Sequence, residues 1–391
     1  MSQEQKIEEI LSRGVEEVIN QDHLKERLLS GEKLHIKFGV DPTSPNLHIG
    51  RAVPLLKLKD FQELGHKVTL IIGDFTAEIG DTSDKSAERQ MLTPEQVKKN
   101  LETYAEQAGK ILDLEKIEVR HNSEWLNELN YKEVVKQANV FSMSEFISRK
   151  NIKKRLDEEK RISVRELLYP LMQGYDSVVL KNDVEVGGTD QRFNMLTGRK
   201  MQEMYEQKPQ DILTVNLILG TDGRKMSSSW GNAINLNDKP EDMFGKIMSI
   251  PDDLIISYFE NCTRVPMTQV KDYEKQLQDS NNNPRDIKMN LASEITAFYW
   301  GQEEAQKAQK HFIDVFQKKD KPDKIKEVSI EADNILDALV KSGLVQSKGE
   351  ARRAIEQGGV KIDKKKVESL EEKIKKGCII QKGKRHFIKI K

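Results

Sequence analysis

The stretch from Leu34 to Arg51 (LHIKFGVDPTSPNLHIGR) constrains the fold of this 391-residue chain more than any other. Its apolar run predicts a β-strand ending at Gly39-Val40-Asp41, followed by a proline- and serine-rich turn and a helical pattern that begins near His48. The order strand, loop, helix places a ligand at the carboxyl end of a parallel strand. Unpaired N–H groups at a helix start favour an anion, so the stretch predicts a nucleotide site.

Several residues within this stretch suit that purpose. Gly50 lets a planar base approach the backbone, and Thr43 and His48 can donate hydrogen bonds to phosphate oxygens. Pro54 limits the helix, because proline is compatible only with a first turn. Taken alone, the stretch fits equally well a surface turn before a helix with an incidental histidine.

A second stretch, Gly223-Arg224-Lys225-Met226-Ser227-Ser228-Ser229, favours the nucleotide interpretation. A mobile loop with a lysine and three hydroxyls can close over phosphates from the other side. The two stretches, HIGR at 48–51 and KMSSS at 225–229, resemble the HIGH and KMSKS motifs of class I aminoacyl-tRNA synthetases. Each departs from its motif at one position, and they occur in the family's order.

Composition restricts the broad class of the protein. The length predicts two or three domains, and 33% charged and 37% hydrophobic residues are ordinary for a soluble, rather polar protein. No apolar run approaches the roughly 18–20 residues that span a bilayer, and the acidic, amphipathic N-terminus is not a secretory signal. Cys262 and Cys378 lie too far apart for a zinc cluster and indicate a reducing, cytoplasmic environment.

Charge is unevenly distributed along the chain. Residues 331–391 carry 16 Lys and Arg against 9 Asp and Glu. Because the whole chain has 64 of each kind, residues 1–330 carry 48 against 55. This asymmetry predicts a basic C-terminal module that meets nucleic acid, attached to a body with another task.

Predicted strands and helices alternate before the KMSSS loop. The predicted strands are 34–40, 67–72, 117–120 and 211–219, and residues 184–191 are predicted as a strand that leads into a helix. The predicted helices include 3–29, 93–112, 123–162 and 163–181. This alternation predicts an α/β fold with a Rossmann-like parallel sheet and right-handed crossovers. The predicted domains are 1–224, a catalytic domain with a helical insertion; 225–320, the KMSSS loop and an α-helical domain; and 328–391, a small α+β module.

Two basic segments are candidate RNA contacts. The run from Arg149 to Arg155 fits either a solvated helix face or a contact with the acceptor stem of tRNA. Residues 328–391 show two helices followed by a basic, strand-rich end, which resembles the S4 RNA-binding domain; a generic basic α+β tail is the alternative. The candidate RNA-binding residues there are Lys348, Arg352, Arg353, Lys384 and Arg385.

Over essentially the whole chain the resemblance is closest to bacterial tyrosyl-tRNA synthetases. It implies that Asp81, Tyr169 and Gln173 hold the α-ammonium of tyrosine and that Asp176 bonds its phenol. Tyr169, Gln173 and Asp176 recur at spacings of 4 and 3, so they share one helix face. A carboxylate among apolar neighbours needs a partner, although a helix-surface charge is the simpler alternative for Asp176.

The resemblance assigns the remaining site residues as well. Asp41 approaches the substrate, and Gly188, Asp190 and Gln191 contact the ribose and the substrate carboxylate. The implied catalytic residues are Thr43, His48, Arg51 and Lys225, and the implied ATP-binding residues are Gly39, Gly50, Gly188, Asp190, Met226, Ser227, Ser228 and Ser229. Catalysis then consists of positioning and charge stabilisation, with Mg²⁺ carried by ATP and no protein-bound metal. The family also implies tRNA(Tyr) as partner and a homodimer.

Three positions depart from the family pattern. Lys37 stands where many tyrosyl enzymes have a second phenol-binding tyrosine, Arg51 replaces the second histidine of HIGH, and Ser228 replaces the second lysine of KMSKS. Two alternatives therefore stay open. One is a tryptophanyl-tRNA synthetase, disfavoured by Asp176 and by the S4-like tail. The other is a synthetase-like RNA-binding protein that has lost catalysis.

Overall fold

The computed structural model describes residues 2–81, 91–279, 281–318, 326–328, 330, 334–345, 347–363, 365–367, 369–383 and 386–391. The chain divides into two compact units, Met1–Gln309 and Lys310–Lys391. The three-part division predicted from the sequence stays a prediction.

The first unit is built on a six-stranded sheet. Its strands are β1 (Val15–Ile19), β2 (His35–Val40), β3 (Lys67–Ile72), β4 (Glu118–His121), β5 (Val184–Gly188) and β6 (Asp211–Val215). The spatial order is β1-β6-β5-β2-β3-β4, and every pairing is parallel except that of the edge strand β1 with β6. This confirms the predicted parallel α/β fold. All five residues of β6 are buried, and the strand ends at Val215, four residues before the predicted end at 219.

Helices connect and flank these strands. They are α1 (Gln3–Ser12), α2 (Gln21–Leu29), α3 (Ile49–Glu63), α4 (Asp74–Ile79), α5 (Pro94–Leu101), α6 (Tyr104–Gly109), α7 (Ser123–Leu126), α8 (Tyr131–Gln137), α9 (Met143–Ile147), α10 (Lys150–Asp157), α11 (Arg165–Leu180), α12 (Arg192–Met204), α13 (Pro240–Met248), α14 (Ile255–Cys262), α15 (Met267–Gln278), α16 (Pro284–Trp300) and α17 (Gln302–Lys318). The division between the two units falls within α17.

Some predicted elements are wrong in extent. The predicted helix 3–29 is α1, β1 and α2, because left-handed Gly14 (φ 66°) follows the end of α1 and left-handed Asn20 (φ 63°) precedes the start of α2. The predicted helix 93–112 is broken into α5 and α6, and the predicted helical segment 123–162 is a series of short helices. Pro54 lies in the second turn of α3 rather than the first, where it cannot donate to the carbonyl of Gly50.

Beyond the end of α17, the described residues of the second unit form two helices and a five-stranded sheet. Its elements are β7 (Lys326–Val328), α18 (Ile335–Lys341), α19 (Lys348–Glu356), β8 (Val360–Ile362), β9 (Lys365–Lys366), β10 (Ile379–Lys382) and β11 (His386–Ile390). The strand order is β7-β11-β10-β8-β9. A core that includes Ile335, Leu339, Val360 and Ile380 joins helices to sheet. This confirms the predicted small α+β fold of the C-terminal region.

Candidate active site

The predicted site residues lie where the parallel strands of the first unit end. Asp41 follows β2, Asp81 follows α4 after β3, and Asp190 lies in the turn after β5. Helix α11 contributes Tyr169, Gln173 and Asp176. Parallel strands end on one edge of the sheet, so residues distant in sequence meet there. Gly39 lies in β2 and is exposed.

Asp41 and Tyr169 are in direct contact. The Tyr169 hydroxyl donates to Asp41 Oδ2 over 2.8 Å, and the Thr76 hydroxyl donates to the other oxygen over 2.8 Å. Burial, followed by the charges of Asp41 and Asp81, raises the pKa of Tyr169 well above its ordinary value. Tyr169 is therefore a neutral donor that fixes the Asp41 carboxylate.

A relay of side-chain amides joins Asp81 to Gln173. Gln191 Nε2 donates to Asp81 Oδ2 over 2.7 Å. Asn194 Nδ2 donates to Gln191 Oε1 over 2.9 Å and to Gln173 Oε1 over 3.1 Å. Asn194, which the sequence analysis did not select, links two predicted tyrosine-binding residues from its buried position in α12. No sequence signal beyond its place three residues after Gln191 marked it.

Asp176 is buried, with 4% of its surface exposed, so it is not a helix-surface charge. Trp125 Nε1 donates to Asp176 Oδ1 over 2.8 Å. Burial raises the pKa of Asp176 to about 7, against the opposing effects of the Lys37 charge and the hydrogen bonds from Trp125 and Asn122; the charge of Glu185 adds to the increase. Asp176 is thus a buried carboxyl group that holds its proton more tightly than an exposed aspartate does.

Lys37 forms a buried ion pair with Glu185, which the sequence analysis did not select. Their nitrogen and oxygen lie 3.3 Å apart, and the residues are 1% and 2% exposed. Glu185 also accepts hydrogen bonds from Gln173 Nε2 at 3.1 Å, from the Ser177 hydroxyl at 3.4 Å and from Gln210. The available sequence signal was a carboxylate inside the apolar run Val184–Gly188, where an isolated charge is costly.

The two signature stretches pack against each other. His48 occupies the N-cap position of α3 in an extended conformation and bridges to Asn235. A Cβ atom on Gly50 would lie 3.1 Å from His48 Nδ1 and 3.6 Å from Met226 Sδ. A Cβ atom at position 50 would therefore crowd the imidazole of His48 and make an ordinary van der Waals contact with Met226.

Arg51 contacts Thr43, its predicted catalytic neighbour. Arg51 Nη2 donates to Thr43 Oγ1 over 2.8 Å, and Nη1 donates to the Tyr104 hydroxyl over 3.0 Å. The guanidinium thus holds the loop after β2 against α6. Arg51 brings a positive charge to the place where HIGH has its second histidine.

The KMSSS loop is tied to the sheet through Lys225. Its ammonium lies 3.0 Å from Asp190 Oδ2, and its carbonyl accepts from Asn232 Nδ2 over 3.1 Å. Asn232 Oδ1 also accepts from the Ser227 N–H over 2.9 Å. The hydrogen bond from Asn232, followed by that from Arg224, lowers the pKa of Asp222 to about 2. Asn232, another residue that sequence analysis missed, organises the loop.

A polar cleft separates the loop after β2 from the KMSSS loop. It has a volume of about 220 Å³ and is lined by Ser44, Pro45, Asn46, Ser228, Gly231, Ala233, Asn235 and Lys246. Ser228 and Ser229 lie in a 3₁₀ turn that ends at Trp230. Hydroxyl, amide and ammonium donors on facing walls suit an anion.

The basic run 149–155 is mixed: its three lysines are exposed on α10, as a solvated face requires, whereas its two arginines contact other side chains. The contact with tRNA stays a prediction. Arg155 is buried and forms two hydrogen bonds with the Glu166 carboxylate, at 2.5 and 3.0 Å. The guanidinium of Arg149 stacks on the rings of Phe146 and Phe193. Both arginines are committed to packing, which a sequence pattern of charges does not reveal.

Three predicted RNA-binding residues share α19 in the second unit. Lys348, Arg352 and Arg353 are exposed there, and Lys348 pairs with Asp337 at 2.8 Å. Lys384 and Arg385 lie outside the described residues. Among the residues that the structure describes, no three His, Cys, Asp or Glu side chains are grouped as a metal site requires. Within the same residues, no helix combines the length and apolar character needed to cross a membrane.

Comparison with protein families gives two matches that together run from residue 29 to residue 390. Residues 29–317 match the model of "tRNA synthetases class I (W and Y)". Residues 317–390 match the model of a "Tyrosine--tRNA ligase SYY-like C-terminal domain".

Relatives and solved structures agree with these matches. A tyrosine--tRNA ligase of Thermotoga maritima is 48% identical over 97% of this chain and 96% of its own length. One from Coxiella burnetii is 44% identical over 100% of this chain and 99% of its own. The structure of tyrosyl-tRNA synthetase complexed with L-tyrosine from Archaeoglobus fulgidus superposes with a TM-score of 0.63, 23% identity and coverage of 79% of this chain and 100% of that one, a likeness of fold.

The chain therefore belongs to the class I tRNA synthetases of the tryptophan and tyrosine group. Within that group, the near full-length relatives place it in the tyrosine--tRNA ligase family.

Proposed function

We propose that this chain activates L-tyrosine with ATP to form tyrosyl-adenylate and pyrophosphate, and then transfers tyrosine to the 3′ end of tRNA(Tyr). The observation that carries the proposal is the buried Asp176 carboxylate, held by Trp125 and lying on the helix face that also presents Tyr169 and Gln173. A buried carboxyl group suits a ligand that brings a hydroxyl into an otherwise apolar slot.

The amino-acid end of the site is proposed to bind the α-ammonium and the carboxylate of tyrosine. Asp81, Tyr169 and Gln173 surround the α-ammonium, with Asp41 oriented by Tyr169 beside them. Gln191 contacts the carboxylate of the substrate from its position on Asp81. These groups hold the tyrosine carboxylate for in-line attack on the α-phosphate, so that positioning replaces a general base.

The phosphate end is proposed to lie in the cleft between HIGR and KMSSS. Thr43, His48 and Arg51 on one side and Lys225 on the other stabilise charge on the phosphates as pyrophosphate leaves. Gly188 and Asp190 contact the ribose. The other proposed ATP contacts are Gly39, Gly50, Met226, Ser227, Ser228 and Ser229. ATP enters as its Mg²⁺ complex, and the cation belongs to the nucleotide rather than to a protein cage.

The proposed partners are tRNA, bound by the second unit, and a second copy of the chain, bound through residues 131–164. The exposed Lys348, Arg352 and Arg353 of α19 support tRNA binding in a chain segment with surplus positive charge. Large apolar side chains that are exposed between residues 131 and 164 support a homodimer interface; they include Tyr131, Val135, Met143, Leu156 and Val164. We place the reaction in the cytoplasm, where tRNA is used in translation.

Amino-acid-dependent exchange of labelled pyrophosphate into ATP tests the proposal. Tyrosine should support exchange, whereas tryptophan and phenylalanine at the same concentration should not. Exchange with tryptophan would assign the chain to the other branch of its group. The absence of exchange with any amino acid would favour an RNA-binding protein without catalysis.

A further inference from the structure

We infer that Glu185, paired with Lys37, is a positioning residue that fixes the amide of Gln173 so that its oxygen is presented to the α-ammonium of tyrosine. This inference deepens the proposed function and rests on it. Neither Glu185 nor its pairing with Lys37 follows from the two signature motifs, since Glu185 lies in the middle of β5.

The environment of Glu185 shows that its carboxylate has a fixed orientation. One oxygen lies 3.3 Å from the Lys37 ammonium and accepts from Gln173 Nε2 at 3.1 Å. The other oxygen accepts from the Ser177 hydroxyl at 3.4 Å and from Gln210. Each oxygen of the carboxylate accepts hydrogen bonds, and the residue is only 2% exposed. The carboxylate therefore cannot rotate without breaking these bonds. Such a group can in turn orient its neighbours.

The chemistry of an amide then decides which way Gln173 points. A carboxylate only accepts hydrogen bonds, whereas an amide has a donating nitrogen and an accepting oxygen. Glu185 therefore holds the nitrogen of Gln173, and the oxygen must face the opposite side, where Asn194 donates over 3.1 Å. Amide oxygens have a second lone pair, and an ammonium ion, which only donates, requires such an acceptor.

The same relay reaches Asp81 at its other end. Gln191 Nε2 donates to Asp81, and Gln191 Oε1 accepts from Asn194. A carboxylate therefore orients each glutamine amide: Asp81 orients Gln191, and Glu185 orients Gln173. Lys37 compensates the charge of Glu185 and also contacts the backbone carbonyl of Gln173 at 3.4 Å. The position that holds a phenol-binding tyrosine in many family members thus also supports, through Glu185, the proposed ammonium end of the site.

The test compares two ligands that differ by one group, tyrosine and 3-(4-hydroxyphenyl)propionate, which lacks the α-ammonium. Their dissociation constants are measured by calorimetry for the wild-type protein and for Glu185→Gln. A glutamine at 185 can donate as well as accept, so it no longer forces the orientation of Gln173. Tyrosine should bind roughly 10- to 100-fold more weakly, the range for loss of a charged hydrogen bond, whereas the deamino ligand should bind as before.

Two further variants keep the test decisive. Glu166→Gln breaks another fully buried ion pair on α11 and should leave the ratio of the two affinities unchanged. The double variant Lys37→Met/Glu185→Met removes both charges, so no unpaired charge is buried and folding should be retained. It should still bind tyrosine more weakly without affecting the deamino ligand.

The outcomes separate this inference from the proposed function. Equal weakening of both ligands by Glu185→Gln, or normal tyrosine binding by the double variant, would show that the pair only supports the fold and would overturn the inference. A wild-type protein without tyrosine-dependent exchange would overturn the proposed function itself.

Discussion

The ammonium of Lys225 lies 3.0 Å from the carboxylate of Asp190, which joins the KMSSS loop to the turn after β5. An ion pair between a loop and the sheet favours the loop conformation in which the pair forms.

Lys225→Ala should lower the rate of adenylate formation by roughly 100-fold or more while changing tyrosine affinity little. A cation that meets the phosphates acts on the chemical step, because its interaction strengthens as charge develops there. Single-turnover kinetics and equilibrium binding of tyrosine measure the two effects. Lys200→Ala, at an exposed ion pair with Glu145, is the matched control and should alter neither. Equal losses of rate and affinity would mean that Lys225 holds the pocket together.

Asp176→Ala should narrow the preference for tyrosine over phenylalanine. Loss of a hydrogen bond to a charged partner costs about 1.5–3 kcal/mol, which should fall on tyrosine because phenylalanine has no hydroxyl to bond. The measurement is kcat/KM in pyrophosphate exchange for both amino acids. If the mutant retained its full preference, the phenol would be read by another residue.

The activity with tyrosine should fall below about pH 7 as Asp176 takes up a proton, since its pKa in the folded protein is about 7. The charged groups facing it are Lys37 on β2 and Glu185 on β5, and Trp125 and Asn122 donate hydrogen bonds to it. Lys37→Met removes a positive charge that favours the carboxylate, so the acid limb of kcat/KM should move to higher pH. If the acid limb of kcat/KM stayed at the same pH in Lys37→Met, the titrating group would not be Asp176.

The same carboxyl group should make folding stability depend on pH. Its pKa in the folded protein, about 7, is above the ordinary value of 3.8, so the folded state binds the proton more tightly. Ionisation of Asp176 therefore lowers the free energy of unfolding. The whole reduction is present above pH 7 and disappears as the pH falls towards 4. Urea unfolding of Asp176→Asn should lack this contribution, and identical profiles for mutant and wild type would contradict it.

The sequence predicts a secondary-structure element when that element is determined by its own residues, and fails when a partner distant in sequence determines it. β3 was predicted from its apolar run. β1 was missed because Val15, Val18 and Ile19 also have the spacing of a helix face, and only its pairing with β6 decides between the two.

The site shows the same limit. Motif positions were predicted from the resemblance, and the structure pairs Asp41 with Tyr169 and Lys225 with Asp190. Glu185 and Asn194 were not predicted, since their significance lies in partners that the fold brings to them. Sequence reasoning finds groups with recognisable chemistry and misses those that act by orienting other side chains.

Arg155→Met should destabilise the first unit by about 3–5 kcal/mol, because it leaves the buried Glu166 carboxylate without its partner. Urea unfolding measures this effect, and filter binding should show unchanged tRNA affinity. Lys153→Met, at an exposed position on the same helix, is the control and should be nearly neutral. Greatly weakened tRNA binding by a stable Arg155 variant would mean that Arg155 contributes to contact with the acceptor stem of tRNA.

A fragment that ends at Lys318 should retain tyrosine-dependent exchange but charge tRNA poorly. The proposed pocket lies within the first unit, whereas the exposed basic face of α19 lies in the second. The tRNA affinity of the full chain should fall steeply with added salt, as phosphate contacts require. Full charging by the fragment would refute the RNA-binding role of the C-terminal unit.

The antiparallel edge strand has a consequence for synthesis on the ribosome. Val15 of β1 pairs with Val215 of β6, so the strand made first must wait for about 200 further residues before its partner exists. At roughly 5–20 residues per second, that interval lasts about 10–40 s. During that interval the N-terminal strand lacks the partner that it pairs with in the folded protein, and an unpaired strand edge is a template for aggregation.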